Sequence, residues 1–511
     1  MKAYPEIRTA DYPALTRYGP LLLILLYSLV ITAPIFYYGH PQFFNSPDLL
    51  YVQAKTLRVA QGDIFQDPVT GFPTFHPPFY HLFLAGPYLL GFGIEKILMV
   101  VTWFNIFATA FFTYLVLRRK FSQPVALAVP LFMPFVHDYL GPGLLLLASS
   151  YYFAVPFYLA GLWLYLKDER PLSYNLLIAV LWGLAFLISP VFIFLIGFTF
   201  IYELLFKAHR YHTLAMIVLF GIILIPFYIQ AWYIYGTALG GTGAFSFWRG
   251  FPNWLWIRNN AVLSIFPVTI KMHWWHFIIG TAVWLWGLYA LWKNRPIVRY
   301  FFICLLAYIL TSYHFNFQYA TRIKSFLLIF ILAYGFKTFF DLKISARLKI
   351  IVTAVLILIA WGDHMYFNVS LNEEARDVRS DMIKRRSDAI NNLGPYLDRD
   401  RYVIATEKTY RFYLMPYYPV YGLMAYTSGE YYQLKKELSD EMKNDYSLLI
   451  STDDDRIIDE ICRKYRMDTA VLCRYEPPTL FTLTVAEKWD NVYSGPSFMV
   501  YKKPETKKIT P

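Results

Sequence analysis

The feature that most limits how this chain can fold is a succession of about eleven apolar runs, several as long as the roughly 20 helical residues that cross a hydrocarbon core. They are Pro20 to Tyr38, Met99 to Leu117, Val125 to Val136, Leu144 to Leu166, Leu172 to Ile188, Val191 to Phe206, Thr213 to Tyr235, Phe277 to Trp292, Ile297 to Tyr313, Ser325 to Phe340 and Ile350 to Phe367. The shorter ones extend by a few residues or sit where the bilayer is locally thin. Pro20 to Tyr38 is long, ends in aromatics and lacks a small-residue cleavage site, so it reads as a span and not as a removed signal peptide. Composition agrees: 57% of residues are hydrophobic, 20% aromatic and 16% charged. An ordinary soluble enzyme carries charge on about a quarter of its residues, so this chain spends much of its length in lipid.

Short-loop charges set the orientation. Lys2, Arg8 and Arg17 precede the first span; Arg118, Arg119 and Lys120 follow the second; Lys167 and Arg170 follow the fourth; Lys207 and Arg210 follow the sixth. Lys293, Arg295 and Arg299 separate the eighth and ninth, and Lys337, Lys343, Arg347 and Lys349 surround the last connection. With eleven spans all these clusters fall on one side, the cytoplasmic one, with the amino terminus in and the carboxyl terminus out. The net charge of +12 is mostly these clusters. It gives no sign of nucleic acid, which needs a basic groove. Cys304 lies in a span, and Cys462 and Cys473 in the tail are either an external bridge or two small buried groups.

The expected architecture is therefore mostly α, a polytopic helical bundle over residues 1–367 with external loops at 39–96 and 236–276. A small extracytoplasmic α/β domain follows over 368–511. In the first loop, LLYVQAKTLRVA carries Leu49, Val52, Leu57 and Ala60 at helical spacing behind Ser46-Pro47, a helix start. PPFYHLFLAGPYLL, Pro77 to Leu90, is too short to span and is broken by Gly86-Pro87, so it lies in the interface or re-enters shallowly. The loop around Phe245 to Trp256 is rich in aromatics and reads either as an interfacial anchor or as a lid or groove for a lipid-linked molecule.

In the tail, Tyr446 to Ile450 is expected as a strand, DDDRIIDEICRKYRM as a helix with acids in its first turn, and Thr469 to Cys473 as a second strand. Short joints favour parallel pairing of the two strands. NVYSGPSFMVYKK reads as a hairpin around Ser494-Gly495-Pro496.

The topology lets two acids from separate elements meet at the outer mouth of the bundle. Asp48 lies about ten residues beyond the first span, and Asp138 opens the turn HDYLGPG after the third. Together they could bind a divalent cation, Mg or Mn, or one could act as base while the other holds the substrate. A solvated loop aspartate is the plain alternative for each.

The order of a span, a large first external loop with an early acid, then Gly62-Asp63, Asp67-Pro68 and HPPFY at His76 to Tyr80, then a many-span body and an external domain, resembles the GT-C superfamily of membrane glycosyltransferases. It is most similar to the branch of protein mannosyltransferases and lipid A aminoarabinose transferases. The resemblance covers residues 15–370 in architecture, but specific residues only at 45–80 and around 138. It implies Asp48 as catalytic base or metal ligand, Asp138 as the second acid, and His76 at the start of an interfacial helix. The pair of adjacent acids frequent in that superfamily is missing, since Asp48 stands between Pro47 and Leu49. The implied donor is a sugar on a polyprenyl phosphate or diphosphate, and the acceptor an extracytoplasmic glycan, lipid or protein.

A phosphate headgroup calls for cations. Arg322 in HFNFQYATRIKS is the best placed, as a bidentate phosphate ligand or as an anchor snorkelling to lipid; His314, Lys271 and Arg258 are lesser candidates. Lys55 and Arg58, three residues apart on one helix face, either touch the diphosphate or form a solvated face. His76 could bond the donor phosphate and His137 could tune Asp138, or each could cap a helix. The rival functions are a transporter or flippase of lipid-linked sugars, which keeps polar groups within its spans, and a membrane assembly scaffold.

Overall fold

A computed structural model describes residues 13–38, 47–68, 71, 78–137, 150–167, 170–206, 210–235, 286, 289, 317–374, 376–423 and 436–504. The helices are α1 (Pro13–Tyr38), α2 (Pro47–Ala60), α3 (Phe79–Leu89), α4 (Ile94–Arg118), α5 (Gln123–His137), α6 (Ser150–Tyr165), α7 (Leu172–Ile188), α8 (Ile193–Phe206), α9 (Arg210–Tyr235), α10 (Phe317–Phe340), α11 (Ala346–Glu374) and α12 (Arg376–Asn392). The tail adds β1 (Tyr402–Ile404), β2 (Tyr421–Leu423), α13 (Lys436–Ile450), α14 (Asp455–Lys464), β3 (Thr469–Cys473), α15 (Leu480–Lys488), β4 (Asp490–Ser494) and β5 (Phe498–Lys502). The chain forms two compact units: residues 1–40, 98–226 and 247–371 make one, and residues 41–97, 227–246 and 372–511 make the other.

The first unit is helical. Among the described residues, three helices are long and apolar enough to cross a membrane, Tyr18–Tyr37, Ile94–Arg118 and Arg210–Ile229, and four shorter ones are comparably apolar. The expected spans Phe277 to Trp292 and Ile297 to Tyr313 lie outside the described residues apart from Trp286 and Tyr289. In α1, Ile24, Tyr27, Ile31 and Ile35 recur at helical spacing and are buried against Ile106 and Ala110 of α4 and Leu131 of α5. Trp361 of α11 closes this cluster, its indole N–H donating to the Leu131 carbonyl at 2.8 Å. The opposite side of α1 leaves Leu22, Leu26 and Leu29 exposed, as a lipid-facing stripe requires. Helices α6 and α7 join through Trp182, whose N–H reaches the Tyr158 carbonyl at 3.1 Å.

The second unit is α/β. Its sheet has the order β2-β1-β3-β5-β4, parallel across the first three strands and antiparallel from β3 onward. Strand β3, helix α14 and the β4–β5 hairpin form as the sequence indicates. Asp454 caps α14 by accepting from the Arg456 amide at 2.8 Å. Cys462 and Cys473 are free and buried.

Three expectations are corrected here. Tyr446 to Ile450 is the end of helix α13 and not a strand; Met442, Tyr446 and Leu449 are buried at helical spacing, which outweighs a five-residue apolar run. The parallel partner of β3 is therefore β1, in the register Val403↔Thr469. Helix α3 is not broken at Gly86-Pro87 but runs on to Leu89, at the expense of the one amide bond that Pro87 cannot donate.

Candidate functional site

The first-loop helix α2 belongs to the second unit. Positions Val52 to Val59 of α2 are all buried, and this stretch includes Gln53, Lys55, Thr56 and Arg58. Leu50 and Ala54 belong to the same apolar core as Val403, Ile404, Tyr410 and Leu414 of the tail. On another side, Thr56 lies 3.4 Å from Nδ1 of His81 in α3. An all-round buried helix carrying two cations must have each of them engaged, and both are.

The helix stops through Gly62. The Asp63 amide donates to the Arg58 carbonyl at 2.9 Å and the Gly62 amide to the Val59 carbonyl at 3.0 Å. With φ of 93° at Gly62 this is a Schellman stop, which only glycine adopts cheaply. The chain then folds back along α2. Lys55 donates from Nζ to the carbonyls of Ile64, at 2.8 Å, and Gln66. Tyr51, one turn before Lys55, donates to the Asp67 carboxylate at 3.2 Å. Burial pushes the Lys55 ammonium down to about 8, with Arg58 adding to the effect and Asp67 and Asp63 opposing it.

The tail holds this returning segment. Arg58 is 2% exposed and its guanidinium lies 3.8 Å over the Tyr421 ring of β2. Asp63 bridges Arg58, at 3.4 Å, and Arg399, at 2.9 Å, while Arg399 also reaches the Gln61 carbonyl at 3.3 Å. The Tyr421 hydroxyl donates to the Gln66 side chain. The buried Tyr410 hydroxyl shares its proton between the carbonyls of Pro68, at 3.1 Å, and Val420, at 2.8 Å. Gly71, at φ of 71°, lies flush against the Tyr421 ring, where an added Cβ would come within 3.0 Å of ring carbons.

The first-loop residues thus sort into groups. Asp63 and Asp67, within the Gly62-Asp63 and Asp67-Pro68 pairs, are engaged in building the loop. Lys55 and Arg58 do not form a solvated face; they are buried, and their partners are loop carbonyls, Asp63 and Tyr421. Asp48 lies in the first turn of α2, where the helix dipole favours a negative charge. His137 is the last residue of α5, and Arg322 lies near the start of α10. His76, Asp138, Arg258, Lys271 and His314 lie outside the described residues. No group of three or more His, Cys, Asp or Glu side chains that could hold a metal occurs among the described residues. Tyr51, Arg399, Tyr410 and Tyr421 carry no sequence motif; only the fold places them.

No family model and no curated protein matches the sequence. The structure does have neighbours, with which it shares its fold. One neighbour is ArnT from Cupriavidus metallidurans bound to undecaprenyl phosphate, 12% identical, with a TM-score of 0.60 over 96% of this chain and 99% of that one. Another is the Archaeoglobus fulgidus oligosaccharyltransferase in its apo form, 12% identical, with a TM-score of 0.56 over 97% of this chain and 75% of that one. A third is the arabinofuranosyltransferase AftD from Mycobacteria, 14% identical, with a TM-score of 0.58 over 95% of this chain and 40% of that one. Three helices among the described residues are long and apolar enough to cross a membrane, which supports a membrane location.

Proposed function

We propose that the protein is an integral-membrane glycosyltransferase that moves a sugar from a polyprenyl-phosphate donor to an extracytoplasmic glycan, lipid or protein acceptor. The observation that carries this reading is a GT-C fold matched over 96% of the chain by a protein bound to undecaprenyl phosphate. Asp63 and Asp67 are engaged in the loop, and the reading gives the chemistry to Asp48.

In this reading Asp48 accepts the proton of an acceptor hydroxyl. The oxygen then attacks the anomeric carbon as the bond to the phosphate oxygen breaks, and the electron pair leaves with the lipid phosphate. A single base without a second acid as covalent nucleophile inverts the anomeric centre. Asp138 steadies the acceptor side. Arg322, with His76, His137, His314 and Arg258, supplies charge and hydrogen bonds to the phosphate, while Lys55 and Arg58 hold the loop. Amino terminus inside and carboxyl terminus outside, about eleven spans, and an accessory role for residues 368–511 complete the proposal.

The test is to incubate purified protein with radiolabelled polyprenyl-phosphate sugars and, separately, with nucleotide sugars. Release of lipid phosphate with transfer to acceptor supports the reading, and Asp48→Asn should abolish it while donor binding persists. Turnover of nucleotide sugars alone would sink it. Movement of intact lipid-linked sugar across proteoliposomes without transfer would replace the enzyme by a flippase.

A further inference from the structure

We infer that Arg58 and Tyr421 are positioning residues: their stack fastens the first-loop helix to the edge strand of the tail sheet and thereby aims the helix end that carries Asp48. The inference rests on the reading of Asp48 as base.

Neither residue is placed to touch the reacting atoms. Arg58 and Asp48 are ten residues apart on one helix, which at 1.5 Å per residue is about 15 Å along the axis. The polar tethers named above between loop and tail act at the far end of that lever, while Leu50 and Ala54 pack on the tail core nearer Asp48. Arg58 lies 3.8 Å over Tyr421, Asp63 meets Arg399 at 2.9 Å, and Tyr410 meets the Pro68 carbonyl at 3.1 Å. Tyr421 is itself held from three sides, by its register partner Tyr402 in β1, by Gly71 against its ring and by the Gln66 side chain.

A helix whose polar tethers lie at one end transmits tilt to the other. A change of about 5° at Arg58 displaces the Asp48 end by about 1.3 Å, and a misplacement of about 1 Å costs on the order of a hundredfold in rate. The apolar contacts of Leu50 and Ala54 with the tail core bind the helix without fixing its angle, since such contacts are non-directional. The planar guanidinium on a ring, with its charge shared to Asp63, does set a direction.

The experiment uses full-length protein in nanodiscs with a polyprenyl-phosphate sugar donor. Tyr421→Phe keeps the ring and should retain kcat within about twofold, whereas Tyr421→Leu and Arg58→Met should lower kcat by about ten- to a hundredfold with KM for both substrates nearly unchanged. Hydrogen exchange across residues 49–60 should accelerate in those two variants and not in Tyr421→Phe. A purely structural role would lower Tm and the folded fraction but leave kcat per folded molecule intact. Wild-type kcat in folded Tyr421→Leu overturns the inference; should that variant not fold, wild-type kcat in Arg58→Met, which keeps an unbranched apolar stem, does so. If the wild type transfers no sugar from the lipid donor, the glycosyltransferase reading fails on its own. The tethering is then judged by exchange alone, and unchanged exchange in Tyr421→Leu overturns it.

Discussion

The buried Lys55 makes the stability of the second unit depend on pH in a direction opposite to that of a surface ion pair. Its ammonium titrates at about 8 in the fold, below its ordinary 10.5, chiefly because burial removes it from water. Between those two values the unfolded chain binds more protons than the folded one, so stability rises with pH. The gain is complete above the unfolded value and is lost as pH falls through the folded one. Linkage over that interval amounts to about 3 kcal/mol in all, of which about 2 kcal/mol falls between about pH 7 and about pH 9.5.

Lys55→Met removes the titration, although it leaves the carbonyls of Ile64 and Gln66 without their donor. The comparison is guanidinium unfolding of both proteins in detergent, followed by a probe in the tail, at the two ends of that pH range. The wild type should gain about 2 kcal/mol over the variant on going from the lower pH to the higher. A stability difference that stays flat would refute the depressed lysine. One that shrinks with rising pH would mean that Lys55 gains more from Asp67 and Asp63 than it loses by burial.

Two further outcomes are expected. Gly62→Ala forces a side chain into positive φ at the Schellman stop and should cost roughly 1 kcal/mol, read as a lower unfolding midpoint with an unchanged denaturant slope. Asp48 and Asp138, even with His137, are a poor set for a hard cation, so turnover is expected to survive exhaustive chelation; loss of turnover restored by Mg or Mn would instead place a shared ion on the two carboxylates.

Much of the fold was legible where a short segment carries its own signal. The start of α2 shows in Ser46-Pro47 and the apolar spacing behind it, α14 in its acids and its buried Ile458, Ile461 and Cys462, and the hairpin in its Ser-Gly-Pro turn. Strands β1 and β2 have three residues each, too few for alternation to show. The run Tyr446 to Ile450 is ambiguous alone and resolves only with the turns before it. The site was legible in its acids but not in their division of labour. Arg399 meets Asp63 across 336 residues, and Tyr410 meets Pro68 across 342. Local pattern cannot announce pairs so remote, and the Lys55–Arg58 spacing that fits an exposed cationic face fits a buried one equally well.

What the first loop does with its charge follows from the cost of burying it. A buried ion pair is a weak source of stability, because desolvating two ions offsets most of their attraction, and well-packed apolar residues of similar volume often do better. Yet Lys55 and Arg58 are 0% and 2% exposed, in a unit that already has a large apolar core from α2 to β5. Stability alone therefore does not account for them. Charged groups held by specific partners do what apolar contacts cannot, because such contacts are directional. Lys55 fixes where the chain returns along α2, Arg58 fixes how the helix meets β2, and Asp63 joins Arg58 to Arg399. A loop whose only task was to cover apolar surface would gain nothing from this arrangement. A loop that must hold one helix end in a set orientation would, and in the proposed enzyme that end carries the base.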